Sequence, residues 1–145
     1  MWIRERALQL KKKYNTNCPY KLANYLKVHV MKHNLHHEIN GYYKYDRRNQ
    51  YIVINNNLEK HSQRIVCAHE LGHAVLHKNV NTPFMRQNTF LSVSKIEREA
   101  NCFAAELLIF DEDMYEFNNI YDIASLRGVP VELVKLKHFC REGLF

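Results

Sequence analysis

Residues 66–77 read VCAHELGHAVLH, and His69, Glu70 and His73 interrupt an otherwise apolar set of Val66, Cys67, Ala68, Leu71, Ala74, Val75 and Leu76. Polar groups on a helix covered on most faces cost free energy unless something engages them. On an α-helix, positions i and i+4 stack on one face, so His69 and His73 can aim two imidazole nitrogens at a point about 2 Å from each. Glu70, one position on, lies beside that point. This is the HExxH arrangement, in which zinc takes the two histidines and the glutamate acts as general base toward water at the metal. The chemistry it predicts is peptide hydrolysis. The ion polarises a scissile carbonyl and brings the pKa of water toward about 7, while Glu70 accepts a proton and delivers it to the leaving amine. The competing reading is of two partly buried histidines satisfied by backbone or carboxylates; it does not account for a motif set in an apolar helix of the expected length.

A third protein ligand is needed. The longer pattern HExxHxxGxxH requires Gly at position 76 and His at 79, where the chain has Leu76 and Asn79. The other route is a glutamate from a following helix, and KIEREANCFAAELL offers Glu97, Glu99 and Glu106. Glu97 shares its face with Asn101, Ala104 and Leu108, where small residues permit close approach and Asn101 can hydrogen-bond a ligand histidine from behind. Glu97 is therefore the expected ligand. Two alternatives stay open: Ser94-Lys95-Ile96-Glu97 is also a capping box that would turn Glu97 back to the helix start, and Glu99 is the reserve ligand. His77 continues the 69, 73 face and reads as an uncoordinated histidine at a helix end; His36, His37 and His138 read as surface residues.

The elements that must position these groups follow from pattern and punctuation. One helix is expected over about residues 2–14, and a second begins near Pro19 with Leu22, Ala23, Tyr25 and Leu26. GYYKYD and QYIVIN read as an antiparallel hairpin with a turn at RRNQ. The helix carrying HExxH starts from about Leu58, with Asn55, Asn56 and Asn57 available to cap it. After a loop, NVNTPFMRQNTF, a second long helix covers about 93–109. Two short helical patterns hinged at Gly128 and Pro130 close the chain over about 119–140, a helix-turn-helix outline with Leu126, Val129, Val131, Val134 and Leu136 as its small core. QYIVIN, placed at a sheet edge, would pair with an extended substrate backbone, and Tyr42 or Tyr43 is a candidate donor to the tetrahedral oxyanion.

Taken together, the stretches GYYKYDRRNQYIVIN, RIVCAHELGHAVLH and IEREANCFAAELL resemble the ImmA/IrrE family of small zinc metallopeptidases over about residues 20–110. The resemblance implies an α+β, mostly helical, minimal zincin-like domain, with a small antiparallel sheet ahead of the HExxH helix and a C-terminal helical pair. It implies one catalytic Zn2+ held by His69, His73 and Glu97, with Glu70 as base. It also implies a narrow protein substrate, often a helix-turn-helix repressor encoded nearby on a phage or integrative element. Members usually end the second helix with Met-Pro, where this chain has Ile109 and Phe110.

Bulk properties agree with one compact unit. The 145 residues are enough to bury roughly two thirds of the unfolded surface in a single domain. The chain carries 46% hydrophobic and 25% charged residues, no apolar run near the roughly 20 residues of a membrane span, and no secretory signal at its start, so a soluble cytoplasmic protein is expected. Four widely spaced cysteines, Cys18, Cys67, Cys102 and Cys140, read as reduced thiols. The net charge of +6 permits nucleic-acid contact but forms no continuous stripe, so direct nucleic-acid binding is not expected. The rival function is a non-catalytic, zinc-stabilised regulator that binds a repressor or DNA through its C-terminal helices, near Arg127, Lys135 and Lys137. A structural site, however, has no use for Glu70 beside the metal.

Overall fold

A computed structural model describes residues 2–80, 83–85 and 94–142. The chain opens with α1 (Trp2–Tyr14), whose Ile3, Ala7 and Leu10 recur at helical spacing and are buried, and α2 (Pro19–Tyr25), begun by Pro19 and buried through Leu22 and Ala23. Three strands follow, β1 (His29–His33), β2 (Ile39–Asp46) and β3 (Asn49–Asn55), then the long helix α3 (Lys60–Leu76). The short strand β4 (Pro83–Met85) precedes α4 (Lys95–Leu108), and α5 (Asp111–Glu116), α6 (Ile120–Arg127) and α7 (Val131–Glu142) complete the order. The class is α+β, with the strands gathered ahead of and beside α3. No helix among the described residues is long and apolar enough to cross a membrane.

The expected hairpin is β2 and β3, paired antiparallel with Tyr43 opposite Ile52 and Asp46 opposite Asn49. Its two turn residues, Arg47 and Arg48, both adopt positive φ (51° and 66°), which matches the strand twist in a two-residue turn. The sheet is nevertheless mixed, because β1 adds to β3 in parallel and β4 to β2 antiparallel, giving the order β1-β3-β2-β4. This places QYIVIN in the interior. Both edges of β3 are taken, so it has no free backbone for a substrate; the free edges belong to β1 and β4.

The asparagine run does something other than cap α3. Glu59 is the N-cap residue, whereas buried Asn55 donates to the carbonyls of Leu35, His36 and Ile39 and ties the end of β3 to the preceding loop. At the far end, α7 packs on α4 and brings Cys140 to Cys102, across 38 positions of sequence, in a disulfide with a Cα separation of 6.1 Å. This corrects the expectation of four reduced thiols, and Cys18 and Cys67 remain free. Spacing along the chain carried no sign of it, because the pair is made by helix packing.

Gly128, left-handed at φ 65°, ends α6 as the hinge reading requires. The small core of the last two helices is made by Val129, Leu133, Val134 and Leu136; Leu126, expected there, is exposed. Two of the three basic residues of this region point inward. Arg127 grips Asp113 with two hydrogen bonds of 2.7 and 2.8 Å. Lys137 is wholly buried, 2.9 Å from both Glu106 and Asp111, and Arg4 from α1 joins the same cluster through Asp111. The Ile109–Phe110 exit of α4 is likewise well made: Ile109 is buried, and the Phe110 N–H donates to the side chain of Asp113, which starts α5.

Candidate metal centre

α3 and α4 cross where both carry small residues. A Cβ added at Gly72 would stand 3.1 Å from the Cα and the carbonyl oxygen of Ala100 and 3.2 Å from Phe103 Cβ, so the helices approach more closely than a side chain at this position normally allows. Gly72 lies between His69 and His73, and Glu97 is less than a turn before Ala100. Close approach of the two backbones is what brings the three side chains together.

His69, Glu70 and His73 are fully buried and Glu97 nearly so. His69 Nε2 lies 2.9 Å from Glu97 Oε2, and His73 Nε2 lies 2.9 Å from Glu97 Oε1. One ligand atom from each of His69, Glu70 and His73 lies within 4.8 Å of the others, and Glu70 Oε1 is 3.9 Å from His69 Nε2. Behind the cage, Asn101 Oδ1 is 2.7 Å from His69 Nδ1. Glu97 is turned to the two histidines, Asn101 stands behind His69, and Glu99 points elsewhere, to His77.

Among the described residues, several atoms in this pocket are buried without an aligned hydrogen-bond partner: Glu70 Oε1 and Oε2, His73 Nε2 and Glu97 Oε1. Each such atom costs about 1–3 kcal/mol if nothing engages it. Four converging on one point are explained together by a cation there. Ligand atoms about 2.0–2.1 Å from a tetrahedral zinc stand about 3.3 Å apart, and each histidine nitrogen lies within a few tenths of an ångström of that distance from a Glu97 oxygen. The donor set of two imidazoles and a carboxylate suits zinc and leaves a coordination position open.

The electrostatics follow from burial and charge. Burial pushes the Glu70 carboxyl well above its ordinary range, and the neighbouring Glu97 charge adds to the shift. Burial alone would also raise Glu97, but the His69 and His73 imidazoles, each 2.9 Å from one of its oxygens, outweigh it and hold the group at about 2. Burial pushes His73 down, toward the neutral imidazole that binds metals. The arrangement therefore sets a Glu97 carboxylate held low beside a Glu70 carboxyl pushed up.

The two tyrosines fare differently from expectation. The Tyr43 hydroxyl donates to the Lys78 carbonyl at 2.5 Å and accepts from Gln50 at 2.8 Å, so its one proton is committed to the backbone after α3. Tyr42, the next residue along β2, projects to the opposite sheet face, away from the face on which Tyr43 meets His73. Sequence reasoning missed Gly72, although a glycine inside a helix, at a cost of about 1 kcal/mol, marks a place where packing demands it.

The family described as the IrrE N-terminal-like domain, a peptidase family, matches residues 23–138, beyond the core segment on which the resemblance was first read and into α7. "Uncharacterized immunity region protein 2" of Bacillus phage phi105 is 52% identical over 139 residues, 93% of this chain and 88% of that protein. "Metallopeptidase ImmA" of Bacillus subtilis (strain 168) is 34% identical over 116 residues, 79% of this chain and 67% of that protein.

Proposed function

Because the chain belongs to the peptidase family of the IrrE N-terminal-like domain, whose metallopeptidase character implies a metal ion, we propose that it is a zinc-dependent endopeptidase acting in the cytoplasm on one specific protein. His69, His73 and Glu97 hold the ion and Glu70 is the catalytic base. The observation that carries this reading is the convergence of three buried ligand side chains on a point flanked by a fourth, unpartnered carboxylate. A zinc ion held there supplies Lewis acidity, which polarises a scissile carbonyl and acidifies water. Glu70 takes the proton of the attacking water and passes it to the departing amine, a transfer favoured by the upward push that burial gives its carboxyl. Asn101 keeps His69 in the tautomer that presents Nε2 to the ion.

The proposed substrate is the repressor of a phage or integrative element, encoded close to this chain, whose cleavage relieves repression. Support comes from the phage relative named for an immunity region and from the bacterial metallopeptidase. A purely structural zinc site would favour a fourth protein ligand over a free carboxylate in Glu70's place. With purified proteins, Glu70→Gln is expected to keep its zinc and lose cleavage of that repressor by about 10²–10⁴-fold, while neither form digests casein. Undiminished cleavage by Glu70→Gln would refute the assignment.

A further inference from the structure

His73 has a partner on its outer side that the proposed mechanism leaves unused. Its Nδ1 lies 3.0 Å from Nδ1 of His77, and Nε2 of His77 lies 3.0 Å from Glu99 Oε1. Two ring nitrogens at that distance need one donor and one acceptor. If His73 Nε2 keeps its lone pair for the ion, the proton of the neutral ring sits on Nδ1 and is donated to His77. His77 must then accept on Nδ1 and carry its own proton on Nε2, where Glu99 receives it. One assignment satisfies all three groups with neutral rings and an ionised carboxylate.

The same geometry excludes His77 and Glu99 from the cage. His77 meets the wrong nitrogen of His73 and turns its other nitrogen to Glu99. The backbone holds it there: the His77 N–H donates to the His73 carbonyl at 2.7 Å as the C-cap of α3. The following carbonyl, of Lys78, accepts from Tyr43, and Gln50 bonds both Tyr43 and the Ala74 carbonyl. Glu99 comes from α4, two positions after Glu97, so a single helix supplies a group on each side of His73. Both side chains of the pair are largely buried.

We infer that Glu99 and His77 form a positioning dyad that fixes the ring and tautomer of His73, the counterpart of Asn101 behind His69. This rests on the three-ligand reading above. Outer partners of metal-binding histidines are typically worth 10–100-fold in metal affinity.

The test combines zinc affinity, measured by chelator competition, with nitrogen NMR of the histidine rings in the zinc-loaded protein. The parent is expected to show His73 protonated on Nδ1 and His77 on Nε2. His77→Phe, which keeps a flat ring without an acceptor, is expected to lose about 10–100-fold in zinc affinity. His77→Gln, whose amide oxygen can accept from His73, is expected to recover a large part of that loss. In Glu99→Leu the His77 ring is expected to lose its single tautomer, with a smaller loss of affinity. A parent that binds one zinc with an affinity that His77→Phe retains would overturn the dyad and leave the cage standing. A zinc-loaded parent spectrum with His77 protonated on Nδ1 would overturn it without any variant. A parent that binds no zinc at all would instead overturn the underlying three-ligand reading.

Discussion

Replacing Gly72 by alanine tests whether the approach of α3 and α4 sets the metal cage. The new methyl would meet two backbone atoms of Ala100 at 3.1 Å and Phe103 Cβ at 3.2 Å, against 3.4–4 Å for ordinary contact. The helices must therefore separate by a few tenths of an ångström. Overpacking of this kind costs about 1–3 kcal/mol, and the better helix propensity of alanine returns about 0.5–1 kcal/mol. The net loss is about 0–2.5 kcal/mol, which for a chain of this length lowers Tm by up to roughly 10 °C. The same separation opens the 2.9 Å distances from Glu97 to His69 and His73, so zinc affinity falls as well. Thermal unfolding of the metal-free protein and chelator competition measure the two effects. Adding Ala100→Gly should not rescue either, because the Ala100 atoms in the way are main chain. A Gly72→Ala protein that melts at or above the parent with undiminished zinc affinity would refute the reasoning.

Two further outcomes are expected away from the centre. Burial raises Asp111, but hydrogen bonds and charge from Lys137 and Arg4 outweigh it and hold the group at about 2, below the ordinary 3.8. A depressed folded value contributes stability that is complete above the unfolded pKa and lost as pH falls through the folded one, here between about 4 and about 2. Asp111→Asn should cost about 1.5–3 kcal/mol at neutral pH and flatten the acid limb of a urea-unfolding series; an unchanged limb would contradict the pairing. Thiol titration of the denatured, unreduced chain should find two reactive cysteines, Cys18 and Cys67, whereas four would show that Cys102 and Cys140 are not joined.

The parts legible in the sequence were those whose physics is local. HExxH needs only the helical repeat, and Glu97 could be chosen over Glu99 because Asn101, Ala104 and Leu108 mark the face that meets α3. The hairpin was legible because two alternating strands flank a polar two-residue turn. β1 escaped because HVMKH is an edge strand with four of its five side chains exposed, which leaves no alternation to read. β4 escaped because three residues hold too little pattern. The disulfide, the burial of Lys137 and the dyad behind His73 depend on which helices meet, and pairings across tens of residues leave no periodic trace. Asn55 was legible only as a possible cap for α3, because its carbonyl partners Leu35, His36 and Ile39 lie in and at the end of the connection from β1 to β2, which the hairpin alone does not place.

The central claim is that His69, His73 and Glu97 together hold one divalent ion while Glu70 stands beside it. Metal content of the purified chain and four variants tests this directly. The account predicts about one zinc per parent chain, its loss in His69→Ala, His73→Ala and Glu97→Ala, and its retention in Glu70→Gln. Zinc absent from the parent, or kept with parental affinity by Glu97→Ala, would contradict it.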